Sequence, residues 1–169
     1  LKTLEGLETR PTAAMVKEAV FSIVHFRLPY ASVLDLFAGS GQMGIEALSR
    51  GASRAVFVDN SRKAQEIIKD NLTSVGMGKQ SQVVADDAAA FLTRTAETYD
   101  IIFLDPPYDL GYVPKLMPLL GRCLAPEGIV LFEHRKGEPM PETAGDLRLK
   151  KQYIYGKTAV TTYEKASAE

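Results

Sequence analysis

The sequence contains few of the residues on which disulfide frameworks, metal sites or membrane spans depend. Of its 169 residues one is cysteine, Cys123, two are histidine and none is tryptophan. A single cysteine cannot form an internal disulfide, and it is typical of a protein kept in a reducing compartment. The longest apolar runs are far below the ~18 residues that a membrane-spanning helix needs, and no basic-then-apolar signal segment opens the chain. We therefore predict a cytoplasmic protein without membrane segments.

The chain also has almost no excess of charge of either sign, since its net charge is −1. This value argues against a strongly basic nucleic-acid binder, although Lys and Arg are in slight excess from His134 to the end of the chain. Neither His25, His134 nor Cys123 has the spacing typical of metal ligands, so no metal is predicted. The length fits one domain with a full core. We predict a monomer with a single domain over residues 1–169, made of an N-terminal segment and helix (1–30), a core (31–133) and a hairpin (134–169).

From Ser32 onward, short apolar runs alternate with stretches of helical periodicity. Runs that are apolar on both faces are typical of strands buried in a parallel sheet. The predicted strands cover residues 33–37, 55–58, 82–85, 100–104 and 129–132. The predicted helices cover residues 12–26, capped by Thr12, and then 41–50, 64–75, 88–94 and 113–124, with Pro118 expected to kink the last one or delay its start.

The end of the chain changes pattern. Two extended segments, 147–155 and 158–165, predict an antiparallel hairpin joined at Gly156-Lys157. Alternating strands and helices followed by a hairpin indicate an α/β fold. We expect a doubly wound, mostly parallel seven-stranded sheet, Rossmann-like, with a C-terminal antiparallel hairpin.

Asp105-Pro106-Pro107-Tyr108 follows the fourth predicted strand and is the most informative motif in the chain. Ligands of open α/β sheets bind at the carboxyl ends of the strands, and both prolines restrict the backbone there. The motif combines a carboxylate, carbonyl groups free to accept hydrogen bonds and an aromatic ring on which a nucleobase can stack. It favours a site for a planar aromatic amine. The alternative is a proline-rich turn with a surface aspartate.

A glycine-rich motif follows the first predicted strand. Residues 39–44 match G-x-G-x-x-G, and Asp59 lies twenty residues beyond Gly39. Glycines in this pattern let a ligand approach the backbone, and an acid at the end of the second strand binds ribose hydroxyls. The motif predicts an adenosine-containing cofactor, but it does not distinguish a dinucleotide from S-adenosylmethionine.

Three further acids bear on the choice of cofactor. Asp35 lies within the first strand, where it is placed to face a cationic group, and Asp86 and Asp87 follow the third strand, where they are placed to accept from an adenine amine. So many carboxylates would repel a pyrophosphate. The set therefore favours a cofactor that carries an ammonium and a sulfonium. The alternatives are a cap or turn role for Asp35 and a helix amino terminus for Asp86 and Asp87.

Taken in order, these motifs resemble those of the class I S-adenosylmethionine-dependent amino-methyltransferases. The matching residues are 34–41, Asp59, Asp87 and 105–108. Residues 10–12, Arg-Pro-Thr before a helix, and residues 44–52 narrow the resemblance to the bacterial 16S ribosomal RNA guanine-N2 methyltransferase D family. The similarity covers the chain from Arg10 to about Lys165.

The resemblance implies methyl transfer from S-adenosylmethionine, with S-adenosylhomocysteine as product, to the N2 amine of a guanine in 16S ribosomal RNA, free or in an assembling small subunit. It implies that the target base lies against Asp105, Pro106, Pro107 and Tyr108. The methionine part of the cofactor is expected against Phe37, Ala38, Gly39, Ser40 and Gly41, with Asp35 near its amino group. The ribose is expected at Asp59 and Asn60, and the adenine at Asp86 or Asp87 and Ala88. Arg10 and Thr12 are expected to close over cofactor or RNA.

The residues themselves leave other functions open. An adenine N6 amine in DNA and a glutamine amide in a protein also present a planar NH₂ group. An NAD-dependent oxidoreductase would account for G-x-G-x-x-G but leaves the 105–108 motif and the acids after the third strand without a role. A non-catalytic RNA-binding or adenosine-sensing module would not need an acid and a stacking ring together.

Overall fold

The structure, a computed structural model, describes the backbone of residues 1–3 and 11–166 and, except at residues 11 and 12, their side chains. Within these residues eight strands form one sheet. They are β1 (Ser32–Leu36), β2 (Arg54–Asp59), β3 (Ser81–Ala85), β4 (Tyr99–Leu104), β5 (Leu124–Arg135), β6 (Thr143–Ala144), β7 (Leu147–Tyr155) and β8 (Thr158–Lys165). The α-helices are α1 (Pro11–Val24), α2 (Gln42–Ser49), α3 (Arg62–Ser74), α4 (Ala88–Arg94) and α5 (Tyr112–Leu120).

The strand order is β3-β2-β1-β4-β5-β8-β7-β6. Strands β1 to β5 run parallel, and β6 to β8 run antiparallel to their neighbours. This arrangement confirms the predicted doubly wound, mostly parallel sheet with its C-terminal hairpin. The order reverses between β1 and β4, and ligands of such sheets bind where the order reverses, outside the carboxyl ends of the strands. We call this edge the carboxyl rim; it comprises residues 37–41, 59–61, 86–88, 105–109 and 133–136.

Two strands differ from the prediction. The sheet has an eighth strand, β6, of only two residues, which pairs with the start of β7. Two residues are too few to show a period, so the sequence carries no signal for it. Strand β5 begins at Leu124 rather than near residue 129, although Pro126 and Gly128 interrupt its apolar run. A shift in the pairing of β4 with β5 between Tyr99 and Ile101 accommodates this interruption.

The helices also differ in detail. The described part of α1 already includes Thr12, so this residue lies in the first turn and does not precede the helix. Helix α1 ends at Val24 rather than at residue 26, and residues 25–27 form a 3₁₀ turn. Helix α5 ends at Leu120 and continues as a 3₁₀ turn, and Pro118 lies inside the helix without delaying its start.

The helices cover both faces of the sheet. Apolar residues of α1, α2 and α3 pack with those of the strands that share a face with Val33. Residues of α4 and α5 pack on the opposite face, with Leu34. Successive strand residues point to opposite faces, and helices cover both, so the buried residues of β1 are apolar except for Asp35. None of the described helices is long and apolar enough to cross a bilayer.

Candidate active site at the carboxyl rim

The loop after β1 has an unusual backbone. Phe37, Gly39 and Gly41 all have positive φ, of 59°, 62° and 84°. Glycine adopts this conformation freely, whereas a phenylalanine does so at a cost. The ring of Phe37 packs edge-on against Tyr112 with the ring centroids 5.0 Å apart. The loop therefore presents backbone rather than side chains to the rim at its two glycines.

The third glycine of the motif has a different role. A Cβ at Gly44 would lie 2.4 Å from an atom of the Phe57 ring, so only glycine lets α2 approach β2 this closely. The amide of Gly44 also donates a hydrogen bond of 3.1 Å to the carboxyl of Asp35. The motif is thus explained by backbone conformation at two positions and by packing at the third.

Asp35 is buried and lies on the sheet face covered by α1 to α3. Its bond with Gly44 satisfies an amide in the first turn of α2, which is the cap role considered from the sequence. Burial raises the pKa of Asp35 to about 8, against the Gly44 hydrogen bond, and the nearby charges of Asp105 and Asp59 raise it further. A cation at the rim would favour the ionised form. A contact with the cofactor's amino group stays a prediction.

Asp59 lies at the end of β2, and its carboxylate ties two loops together. One oxygen accepts from the amide of Gly39 and the other from the amide of Ser61, both at 2.9 Å. A carboxylate has about four acceptor positions, so this half-exposed group keeps capacity for ribose hydroxyls. The neighbouring Asn60 is exposed at the rim. Their predicted contacts with ribose are compatible with this geometry and stay predictions.

The acids after β3 have structural partners. Asp87 caps α4 by accepting from the amide of Ala90 at 3.1 Å. Asp86 accepts from the amide of Asp87 and forms an ion pair of 2.6 Å with Arg94. Ala88, the first residue of α4, is buried. The helix-terminus alternative therefore describes the contacts present, and an adenine contact would use acceptor positions that these bonds leave open.

Sequence reasoning missed Asn71, a buried residue of α3 that holds the loop after β1. Its side-chain amide donates to the carbonyls of Ser40 and Lys2, each at 2.9 Å, and its oxygen accepts from the amide of Lys2 at 2.7 Å. The signal was present, because Asn71 is a polar residue within the apolar stripe of α3 that includes Ile68 and Leu72.

The 105–108 motif leaves β4 at the rim, as predicted. Pro106 is buried, and Pro107 is exposed. Tyr108 is half-buried; its hydroxyl lies 3.3 Å from that of Thr158 at the start of β8. The guanidinium of Arg135 lies over the Tyr108 ring, 5.1 Å from its centroid. One face of the ring is therefore covered by a cation, and the ring is held in place by the hairpin.

Asp105 has a second carboxyl as its neighbour. The pairing of Leu104 with Phe132 places Glu133 of β5 beside it, and the two carboxyl groups lie within hydrogen-bonding reach of each other. Asp105 keeps accessible surface, but enough protein surrounds its carboxyl for desolvation to raise its pKa, against the Glu133 hydrogen bond. Burial, with the Asp105 charge, raises the pKa of Glu133 to about 8.

Glu133 was not among the residues singled out from the sequence. The sequence could have indicated it, because Glu133 directly follows the apolar run 129–132, just as Asp105 directly follows β4. Of the other predicted residues, Arg10 and the side chain of Thr12 lie outside the described residues. In the part of the chain that the structure describes, no three His, Cys, Asp or Glu side chains are grouped so that they could hold a metal ion.

Comparisons with known proteins agree with this geometry. A family model described as "Conserved hypothetical protein 95" matches residues 1–164. A Bacillus subtilis (strain 168) protein, provisionally named rRNA methyltransferase YlbH, is 39% identical over 170 residues, covering 98% of this chain and 92% of the relative. Ribosomal RNA small subunit methyltransferase D of Escherichia coli (strain K12) is 30% identical over 158 residues, covering 92% and 79%.

A solved structure is also similar along nearly the whole chain. It is an Escherichia coli protein provisionally named methyltransferase yhhF, with a TM-score of 0.87 and 30% sequence identity. The match covers 98% of this chain and 91% of that one. The chain therefore has the same overall fold as this solved structure.

Proposed function

The chain belongs to the family of conserved hypothetical protein 95, the methyltransferase D family whose motifs it carries, and from this membership we propose that it methylates ribosomal RNA. The substrate is the exocyclic N2 amine of a guanine in 16S ribosomal RNA, and the methyl donor is S-adenosylmethionine. One observation carries the proposal: Asp105 and Tyr108 leave β4 beside the positive-φ loop of β1, at the point where the strand order reverses.

The residues at the loop fit this cofactor. Gly39 and Gly41 expose backbone to the rim, and the nearby acidic groups are the carboxyls of Asp35, Asp59 and Asp105. Such a set suits a ligand with an ammonium and a sulfonium, and it opposes a pyrophosphate. We infer that the methionine part lies along residues 37–41 with its ammonium toward Asp35. The ribose would lie at Asp59 and Asn60, and the adenine at Asp87 or Asp86 and Ala88.

The chemistry of the acceptor follows from the motif. When bound, the cofactor supplies an electrophilic methyl group on its sulfonium. The guanine amine is a weak nucleophile because its lone pair is delocalised into the ring. Asp105 and the carbonyl of Pro106 accept hydrogen bonds from the two N–H groups of the amine. These bonds draw the nitrogen toward tetrahedral geometry and aim its lone pair at the methyl carbon. Positioning and fixed dipoles then supply much of the rate.

The base must leave its stack to reach this site. Tyr108 offers one face of its ring to the base, because Arg135 lies over the other. Base–aromatic stacking tolerates any base, since every base has a π-face. Stacking therefore does not select guanine, and Asp105 and the carbonyl of Pro106 select only for a base that presents an amine.

Labelled methyl transfer tests the function directly. The protein is incubated with tritiated S-adenosylmethionine and, in parallel, with protein-free 16S RNA, assembled small subunits, DNA and a protein mixture. We expect label in 16S RNA or in the subunit, recovered as N2-methylguanosine by mass spectrometry of the nucleosides. Label in N6-methyladenine or in glutamine would contradict the proposed acceptor. In calorimetry, binding of NAD in place of S-adenosylhomocysteine would contradict the cofactor.

A small group of cations adjoins the target-base residues and supports RNA as the acceptor. Arg135 and Lys136 are exposed at the rim, and Lys157, in the turn between β7 and β8, is exposed beside them; the amide of Lys136 donates to the carbonyl of Lys157 at 2.9 Å. Arg135 pairs with Asp109. Among the described residues, no carboxylate pairs with either lysine. Thr158, which contacts Tyr108, follows Lys157 directly. Phosphates next to a flipped base would therefore meet these two lysines.

Replacing Lys136 and Lys157 together with alanine should weaken RNA binding for all sequences alike. Each lysine that neutralises a phosphate releases a counterion, so the slope of log K against log salt should become shallower by about 1–2. Fluorescence anisotropy with a 16S fragment over a salt series measures it. The double variant Lys69→Ala, Lys79→Ala removes the same charge on α3 and just before β3, and it should leave the slope unchanged. Equal slopes for both double variants would contradict a role for the rim lysines.

A further inference from the structure

The carboxyl pair formed by Asp105 and Glu133 has a proton that the chemistry above does not use. The two side chains leave neighbouring parallel strands at the same level, since Leu104 pairs with Phe132. Their carboxyl groups therefore lie within hydrogen-bonding reach of each other. Ionised carboxylates only accept hydrogen bonds, so the two groups can be hydrogen bonded only when one of them carries a proton.

The surroundings identify Glu133 as the protonated member. Glu133 is half-buried, whereas Asp105 keeps accessible surface at the rim. The charged and titratable groups that face the pair are Asp35 from β1, Tyr108 from the loop after β4, and Arg135. Arg135 is the cation among them, but it lies over the Tyr108 ring and pairs with Asp109. No described cation therefore neutralises Glu133 directly, and burial with the Asp105 charge raises its pKa to about 8.

We propose that Glu133 is a positioning residue of the methyl-transfer site. Its protonated carboxyl donates to one oxygen of Asp105 and thereby turns the other oxygen toward the substrate amine. This inference rests on the proposed function, because it assigns the second oxygen of Asp105 to the acceptor nitrogen. It also explains how Asp105 stays an acceptor with Glu133 close by, since Glu133 can be neutral while Asp105 is ionised.

Methyl transfer can proceed with Glu133 protonated and Asp105 ionised. The amine nitrogen forms a bond to the methyl carbon as the carbon–sulfur bond breaks, and the bonding electron pair stays on sulfur. The nitrogen then holds one proton too many, which passes to the free oxygen of Asp105 and from there to solvent. Glu133 keeps its own proton throughout. It therefore acts through Asp105 and not on the substrate.

The pH profile distinguishes this role from a merely structural one. In the wild type, kcat should rise as Asp105 ionises and fall near pH 8 as Glu133 ionises, because two adjacent carboxylates repel and the donated hydrogen bond is lost. In Glu133→Gln the amide donates at every pH, so the neutral-pH rate should be kept and the alkaline fall should disappear. In Glu133→Leu no donor remains, and kcat should drop about 10–100-fold, the loss of one hydrogen bond to a charged group.

Asp35 provides the necessary comparison, because burial raises its pKa to about 8 as well. With cofactor at saturation, Asp35→Asn should keep the alkaline fall. An alkaline fall that persists in Glu133→Gln at the wild-type pH would overturn the proposal. So would its disappearance in Asp35→Asn alone. The acceptor used is whichever substrate the labelling experiment identifies.

A measurement without substrate separates this inference from the proposed function. Carbon-13 NMR of the side-chain carboxyl of labelled glutamate follows the titration of Glu133 in the free protein, and its resonance is assigned by its absence in Glu133→Gln. We expect a midpoint near pH 8 that moves down in Asp105→Ala. An ordinary glutamate midpoint overturns the shared proton, whatever the protein methylates. A midpoint near pH 8 in a protein that transfers no methyl group to RNA instead overturns the proposed function.

Discussion

Replacing Asp105 with alanine is expected to lower kcat for methyl transfer by about 10²–10³, the usual cost of removing one preorganised electrostatic partner. The carboxylate accepts a hydrogen bond from the amine N–H, and this bond strengthens as the nitrogen becomes tetrahedral. The variant therefore loses stabilisation of the transition state. Binding of S-adenosylhomocysteine should change little, because the loop at residues 37–41 is held by Asp59 and Asn71. Single-turnover methyl transfer with saturating RNA measures the effect.

The control for this variant removes the same charge elsewhere. Asp70 is an exposed aspartate of α3 whose carboxylate pairs with Lys2. The variant Asp70→Ala should transfer methyl groups at the wild-type rate. If Asp105→Ala did so too, the role assigned to Asp105 would be wrong.

Replacing Tyr108 with alanine is expected to weaken binding of the flipped base by about 1–3 kcal/mol, the cost of losing one base–aromatic stack. The structure adds a second reason for a large effect. The ring also carries Arg135 on its other face, so its removal frees a guanidinium that lies beside the acceptor site. The expected result is a raised KM for RNA and a lower kcat/KM, measured with labelled methyl transfer across RNA concentrations.

Tyr108→Phe separates the ring from the hydroxyl. It keeps the stacking surface and loses only the 3.3 Å contact with Thr158, so it should stay near the wild type. A phenylalanine variant as impaired as the alanine variant would assign the effect to the hydroxyl instead. Unchanged kinetics in Tyr108→Ala would count against stacking altogether.

Most of the fold could be predicted because the signals are local. Apolar runs, helical stripes and turn residues each occupy one stretch of chain, and the βαβ alternation then fixes a parallel sheet. The misplaced boundaries have the same origin. Pro126 and Gly128 lie in β5 and hide its first half from a search for apolar runs. Strand β6 is two residues long and exists only because β7 passes beside it.

The candidate site could be predicted where its residues form motifs. Residues 39–44 and 105–108 are each continuous in sequence, and the structure places residues 39–41 and 105–108 at one rim. Glu133 and Asn71 are not in motifs. Each acquires its place from tertiary pairing, the first through the register of β5 with β4 and the second through packing of α3 under the loop. A single sequence shows the residues but not these neighbours.

The acids show a further physical pattern. Asp35, Asp59 and Asp87 each accept from a backbone amide at the start of a helix or in a loop. Buried and half-buried amides need partners, so an acid after a strand is useful to the fold before any ligand arrives. The cap alternatives considered for Asp35 and Asp87 and the proposed ligand contacts are therefore compatible.

The C-terminal hairpin has a consequence for how the protein can fail. Strands β1 to β3 and their helices, which carry the proposed cofactor-binding residues (the donor side), come from consecutive chain. The proposed target-base residues (the acceptor side) depend on the hairpin, because Tyr108 contacts Thr158 and β5 pairs with β8. Damage to the last two long strands would disorganise the acceptor side and leave the donor side assembled. Such a molecule would still bind its methyl donor but would not transfer the methyl group. Cofactor binding alone therefore does not prove that the enzyme is active.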